Sequence, residues 1–198
     1  METNYEFRKR LEVVHKPNLR QANVTVQQDE LLIEDGWTIV IGSEAQPLVM
    51  NVAKDLQDYL LTSMNVSVLI KRTGDILAAA QEGEEVVILA TREELPHLGR
   101  ELSVPRSYRY VTCNRRIIIC GFDARGVGQG SYYLEDLMNL RQAPVLRLAD
   151  RVRQPIFSPR MVHSGFGLDD YPDQYLNAIA HYGMDAILVF AEGVNQTP

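Results

Sequence analysis

The chain has 198 residues, 45% of them hydrophobic and 23% charged, with a formal net charge of −6. This composition is typical of a globular protein, and the negative charge argues against nucleic-acid binding, which requires a basic face. No apolar run approaches the length of roughly 20 residues that spans a bilayer, and residues 1–25 lack a signal-peptide core. We therefore expect a cytoplasmic protein that binds neither nucleic acid nor membranes.

The first half of the chain alternates between strand and helix patterns. Short apolar runs predict strands at residues 22–26, Trp37–Ile41, Val66–Ile70 and Val86–Ala90. After the second run, Ser43 is expected to cap a helix, and Pro47 suits the first helical turn. One apolar stripe follows at helical spacing, formed by Leu48, Val52, Leu56 and Leu60.

A hairpin and a second helix are predicted in the segment that follows. Tyr108–Cys113 and Arg116–Cys120 flank a turn at residues 114–115. The register would place Cys113 opposite about Arg116, so Cys120 lies too far along to bridge, and we expect free thiols. Asp123 then caps a helix, and residues 145–148 are interpreted as an edge strand. One α/β domain over residues 20–150 is therefore predicted.

The glycines at the start of this helix resemble those of a phosphate-binding loop, but their spacing does not match either of the two known patterns. A Walker loop needs lysine directly after Gly126, where Val127 stands, and a dinucleotide fingerprint needs its last glycine one place beyond Gly130. We expect these glycines to allow close packing instead. The four histidines show no metal-ligand spacing, so we expect no metal and no cofactor; they are His15, His97, His163 and His181.

The end of the chain has the pattern of a strand, a helix and a buried strand. Residues 148–155 are charged and are interpreted as a linker. Phe157–His163 is strand-like, Asp169–Asp173 signals a helix start, and Ala186–Phe190 is a continuous apolar run typical of a parallel sheet. Residues 151–198 therefore predict a linker and the first βαβ portion of a (β/α)₈ barrel, which needs about 250 residues.

Candidate substrate-binding residues lie in this last segment, because barrel active sites form at the C-terminal ends of strands. We predict that Arg160, His163 and Glu192 bind substrate, with Asp169 and Asp170 nearby. An arginine can fork onto vicinal hydroxyls or a carboxylate. The alternatives are a salt bridge within the barrel for the arginine, a satisfied core position for the histidine, and a capping or surface role for the glutamate. No catalytic residue is assigned.

Three segments resemble the N-terminal domain of β-hexosaminidases of glycoside hydrolase family 20, and a similar domain precedes the barrel of α-glucuronidases. They are Val87–Glu94, Tyr108–Val111 and Ile117–Met138. The shared pattern is G-x-D-x-R-G-x-x-x-G opening a helix, matched by Gly121, Asp123, Arg125, Gly126 and Gly130. Ser158–Arg160 resembles the segment whose arginine grips the terminal sugar, although Met161 replaces the usual glycine.

The resemblance implies a layered α/β domain with a mixed sheet and two main helices, followed by a truncated βαβ unit of a TIM barrel. The family's Asp–Glu catalytic pair would lie beyond residue 198, so we expect an inactive fragment of a glycosidase that acts on a carbohydrate. The alternatives are a carbohydrate-binding or protein-interaction module and, less favoured, a small enzyme with an unrecognised site. Unpaired strand edges predict packing on the α/β domain or a homodimer through residues 155–198.

Overall fold

The computed structural model describes residues 13–113, 115–163 and 172–189. They fall into two compact units: one is His15–Pro155, and the other contains the described residues from Ile156 onward together with residues 13–14. The larger unit combines a mixed β-sheet with several helices, which confirms the expected α/β fold class.

The helices and strands of the larger unit follow one another along the chain. They are β1 (Glu30–Leu32), β2 (Thr38–Gly42), α1 (Pro47–Met64), β3 (Leu69–Thr73), α2 (Ile76–Glu82), β4 (Val86–Thr91), α3 (Pro96–Gly99), β5 (Tyr108–Cys113), β6 (Arg116–Gly121), α4 (Ala124–Arg141), β7 (Val145–Arg147) and β8 (Ala149–Arg153). The smaller unit contains β9 (Met161–His163), α5 (Asp173–His181) and β10 (Ala186–Leu188). No helix in the described part of the chain is both long and apolar enough to cross a membrane.

The main sheet has six strands in the order β3-β2-β4-β6-β5-β8. The first four run parallel, while β5 is antiparallel to β6 and β8 is antiparallel to β5. All six residues of β4 are buried, as expected for a strand covered on both faces. Strands β1 and β7 form a separate antiparallel pair.

Helices cover both faces of the sheet. Ile39 and Ile41 of β2 pack with residues of α1 and α4 in one apolar core, whereas Val40 between them packs with residues of α2 in a second core. This alternation follows from the period of two along a strand. Both main helices therefore pack on a mixed sheet, as the sequence indicates.

The hairpin of β5 and β6 has the expected register. Cys113 lies opposite Arg116, while Cys120 lies opposite Arg109, which is four residues before Cys113 in β5. The two cysteines therefore sit at different ends of the hairpin, which explains why both are free thiols. Residue 114, in the turn, lies outside the described residues.

Several local predictions differ from the structure. Residues 22–26 form no strand, and α1 begins after Gln46 without a side-chain cap, so Ser43 is not its cap. Leu48 is 40% exposed, and Val49 takes its place in the buried stripe. Strand β3 begins three residues later than expected, because Val66 and Val68 are buried without pairing in the sheet, which begins at Leu69.

The charged segment at residues 148–155 also differs from the expected linker. Residues 149–153 form β8, an edge strand paired with β5. The side chains of β8 are largely exposed, which is why its sequence is polar. The strand expected at residues 145–148 is present as β7, but it pairs with β1 outside the main sheet.

The smaller unit has the predicted strand, helix and strand. β9 and β10 are parallel neighbours, and α5 lies between them in the chain. This arrangement is a βαβ unit. Its two strands are only three residues long in the described part of the chain, shorter than the apolar runs indicate.

Candidate functional site

Arg160 belongs to an ion pair at the start of the βαβ unit. Its Nε lies 3.7 Å from Oδ2 of Asp185, and its backbone N–H donates to Oδ1 of Asp185 at 2.9 Å. The Arg160 carbonyl oxygen accepts hydrogen bonds from the backbone N–H groups of Asp185 and Ala186. These contacts join the residues that precede β9 and β10.

The ion pair of Arg160 and Asp185 lies at the N-terminal ends of β9 and β10. Arg160 and Asp185 precede their strands, whereas His163 is the last residue of β9. The salt bridge that was one alternative for Arg160 is therefore present, with Asp185, while substrate binding by Arg160 stays a prediction. His163 is exposed at the other end of the strand. Glu192, Asp169 and Asp170 lie outside the described residues.

A groove in the larger unit was missed by sequence reasoning. It has a volume of about 270 Å³ and lies beside β5, α4, β7 and β8. We call it the tyrosine–arginine groove after its polar lining: Tyr110, Tyr133, Arg147, Arg151 and Arg153. Tyr110 pairs with Arg151 across the sheet, so alternation along β5 and β8 directs both to the same face.

Contacts within the groove hold its aromatic wall in place. Nη1 of Arg153 donates to the Tyr133 hydroxyl at 3.0 Å, and its guanidinium carbon lies 4.2 Å from the Tyr133 ring centroid. The Tyr110 ring centroid is 5.5 Å from that of Tyr133. Burial raises the pKa of the Tyr110 hydroxyl further above its ordinary value of about 10, at which a tyrosine is already neutral near pH 7. Such a surface offers aromatic faces and guanidinium donors to a polar ligand.

The opposite face of the same strands carries a bidentate ion pair. Nε and Nη2 of Arg109 donate to the two carboxylate oxygens of Asp150 at 2.6 and 2.7 Å. These hydrogen bonds lower the pKa of Asp150 below its ordinary value. The pair links the side chains of β8 and β5 on the face away from the groove.

Comparison with known proteins finds similarity in structure but not in sequence. No family model and no curated protein matches the chain. A family GH115 4-O-methyl-α-glucuronidase, BtGH115A, matches 80% of this chain with a TM-score of 0.56 and 12% identity. CpGH84B matches 89% with a TM-score of 0.52 and 18% identity. A GH20 exo-β-N-acetylglucosaminidase from Vibrio harveyi matches 89% with a TM-score of 0.51 and 12% identity.

These matches define the class of fold. The chain shares an α/β fold with parts of glycoside hydrolases from three families, at identities that show the fold alone. It spans 25%, 30% and 25% of the lengths of those three chains. The sequence-based expectation of a glycoside-hydrolase-like fold is therefore confirmed.

Proposed function

We propose that this chain is the N-terminal part of a glycoside hydrolase. Residues 20–150 would form a non-catalytic support domain, and residues 151–198 would lead into a (β/α)₈ barrel. The observation that carries the proposal is the asymmetry of the matches: up to 89% of this chain aligns with 30% or less of each larger enzyme. The parallel β9–α5–β10 unit supports it, because such a unit is the repeating element of that barrel.

Within this proposal, the residues of the βαβ unit have different roles. His163 ends β9 and Glu192 follows β10 along the chain, so both would belong to the substrate-facing end of a barrel. Arg160 would instead join the starts of the two strands through Asp185. The acid and base of glycoside hydrolysis would come from other strands of the whole protein.

The proposal is tested by comparing the 198-residue chain with the longest reading frame that contains it. Both are assayed with chromogenic N-acetylglucosaminides, N-acetylgalactosaminides and glucuronides. We expect turnover only from the longer protein. Turnover by the purified 198-residue chain that His163→Ala abolishes would contradict the proposal, as would a reading frame that ends after Pro198.

The tyrosine–arginine groove favours a second candidate, a carbohydrate-binding module. Arginine forks bind carboxylates well, so this candidate would prefer an acidic sugar. Calorimetric titration with glucuronic-acid oligosaccharides and with neutral ones tests it. Arg151→Ala should weaken binding at least tenfold, while Arg100→Ala, an exposed arginine outside the groove, should not. Equal binding of neutral and acidic sugars, or no binding, would contradict it.

A further inference from the structure

A histidine and three carboxylates meet between helices α1 and α4. His15 precedes the first strand, Asp55 and Asp58 lie on α1, and Glu135 lies on α4. The side chains of His15 and Glu135 are each 5% exposed, and that of Asp55 is 15% exposed. Three separate segments of the larger unit therefore contribute polar groups to one position, which is open to solvent at Asp58, whose side chain is 66% exposed.

The imidazole ring of His15 is held in a defined orientation. Its Nδ1 lies 2.9 Å from Oδ2 of Asp58, and its ring packs edge-on against Tyr59 at a centroid distance of 5.5 Å. Tyr59 is itself fixed, because its hydroxyl lies 3.1 Å from the Glu135 carbonyl oxygen and 2.8 Å from Oδ1 of Asn139. On the other side of the ring, Nε2 of His15 faces the carboxylates of Asp55 and Glu135.

The distances around Nε2 fit a shared ligand. Nε2 of His15 lies 3.8 Å from Oδ2 of Asp55 and 3.7 Å from Oε2 of Glu135, both longer than ordinary hydrogen bonds. Donor atoms of these three side chains lie within 4.8 Å of one another. Ligands bonded at about 2.0–2.2 Å to one tetrahedral zinc ion would be roughly 3.3–3.6 Å apart. Small side-chain adjustments would therefore let all three atoms bind one ion.

We propose that His15, Asp55 and Glu135 bind a divalent metal ion, with zinc preferred, and that Asp58 orients the histidine. A histidine ligand commonly donates its second ring N–H to a carboxylate, and Nδ1 of His15 is placed to do so to Asp58. One imidazole and two carboxylates suit zinc, with cobalt as its spectroscopic substitute. The ion would link the segment at His15 to both helices and stabilise the folded chain. This proposal does not depend on the proposed glycosidase function.

Calorimetry with zinc alone tests the proposal on the full chain after treatment with chelator. We expect one ion per chain, and a melting temperature raised by about 5–10 °C when free zinc is about 100 times Kd. Cobalt should give the visible absorption of a low-coordinate site. Glu135→Gln and Asp55→Asn keep the side-chain shape, and each should weaken binding at least tenfold. His97→Ala removes an exposed histidine elsewhere and is the matched control.

The outcomes separate a metal site from a network of ion pairs. Stoichiometric binding that is lost in the two carboxylate variants and kept in His97→Ala supports the proposal. Failure of the wild-type chain to bind zinc or cobalt overturns it. Binding that persists unchanged in Glu135→Gln and Asp55→Asn also overturns it, because the ion would then be held elsewhere.

Discussion

The side-chain carboxylate of Asp123 accepts a hydrogen bond from the backbone N–H of Gly126 at 2.7 Å. This contact caps α4 by satisfying one of its free N–H groups. A Cβ atom added at Gly126 would collide with the carbonyl oxygen of Ser107, and one at Gly130 would lie 2.5 Å from Cγ2 of Ile119. The glycines therefore bring α4 close to the sheet, which confirms the packing interpretation.

Replacing these glycines should destabilise the protein. We expect Gly126→Leu and Gly130→Leu each to lower the free energy of unfolding by about 1–3 kcal/mol, because a side chain would overpack the contact between α4 and the sheet. Urea unfolding measures the change. Gly74→Leu is the control, since an added Cβ there meets nothing within 4 Å. Equal stability of all three variants would show that α4 does not approach the sheet closely.

The two thiols should differ in reactivity. Burial raises the pKa of Cys120 to about 12, and its side chain is inaccessible, while Cys113 is half-buried. Because the thiolate is the reactive species, Ellman's reagent at pH 8 should modify only Cys113 in the native chain and both cysteines in denaturant. The folded Cys113→Ser variant should not react with Ellman's reagent. Rapid labelling of Cys120 in that variant would refute the burial argument.

The Arg109–Asp150 pair should stabilise the protein in a pH-dependent way. Its hydrogen bonds lower the pKa of Asp150 in the folded state, so the contribution is present above the unfolded pKa of about 3.9 and is lost as pH falls through the folded pKa. The Asp150 side chain is half exposed, so solvent screening limits the effect to about 1 kcal/mol or less.

The variant Asp150→Asn tests this dependence. Its loss of stability relative to wild type should be measurable at pH 7 and should shrink as pH falls through the lowered folded-state pKa of Asp150, because the carboxyl then becomes protonated in both states. Glu93→Gln, which changes an exposed carboxyl outside the pair, should show no such trend. If Asp150→Asn lost equal stability at pH 7 and at low pH, the side chain would stabilise the protein through packing rather than through its charge.

The smaller unit should promote self-association. Several of its large apolar side chains are exposed in the described part of the chain: Ile156, Phe157, Tyr182, Leu188 and Val189. Exposed apolar groups and open strand edges favour contacts between chains. Light scattering should therefore detect a dimer of the full chain and a monomer after truncation at Pro155. A monomeric full chain would remove the case for a homodimer through residues 155–198.

The sequence predicted the buried parts of the fold better than its edges. Val86–Ala90 and the β5–β6 hairpin were found because continuous or alternating apolar residues signal burial directly. Strand β8 was interpreted as a linker because an edge strand can carry charged residues while its backbone pairs on one side. Helix α2 was missed, although Asp75 caps it through Ala78 and its sequence is rich in alanine.

The candidate sites were harder to find because their residues are distant in sequence. Spacing rules detect ligands on one helix or loop, and His15, Asp55 and Glu135 come from three segments that only the folded chain brings together. Arg151 and Arg153 of the groove lie in the segment that was predicted to be a charged linker, and only the pairing of β8 with β5 brings them beside the tyrosines. Arg160 was selected because its segment resembles a first barrel strand. Its contact with Asp185, 25 residues later in the chain, is visible only in the structure.

The pairing of β1 with β7 has a consequence for synthesis of the protein. Glu30 pairs with Arg147, so the small sheet joins the two ends of the larger unit. A ribosome adds about 5–20 residues per second. Several seconds therefore pass between the synthesis of β1 and that of its partner strand β7. Strand β8 follows β7 at once, and both complete the unit only at the end. During synthesis, β1 therefore has no partner strand and β5 has no neighbour on its outer edge until translation has passed Arg153.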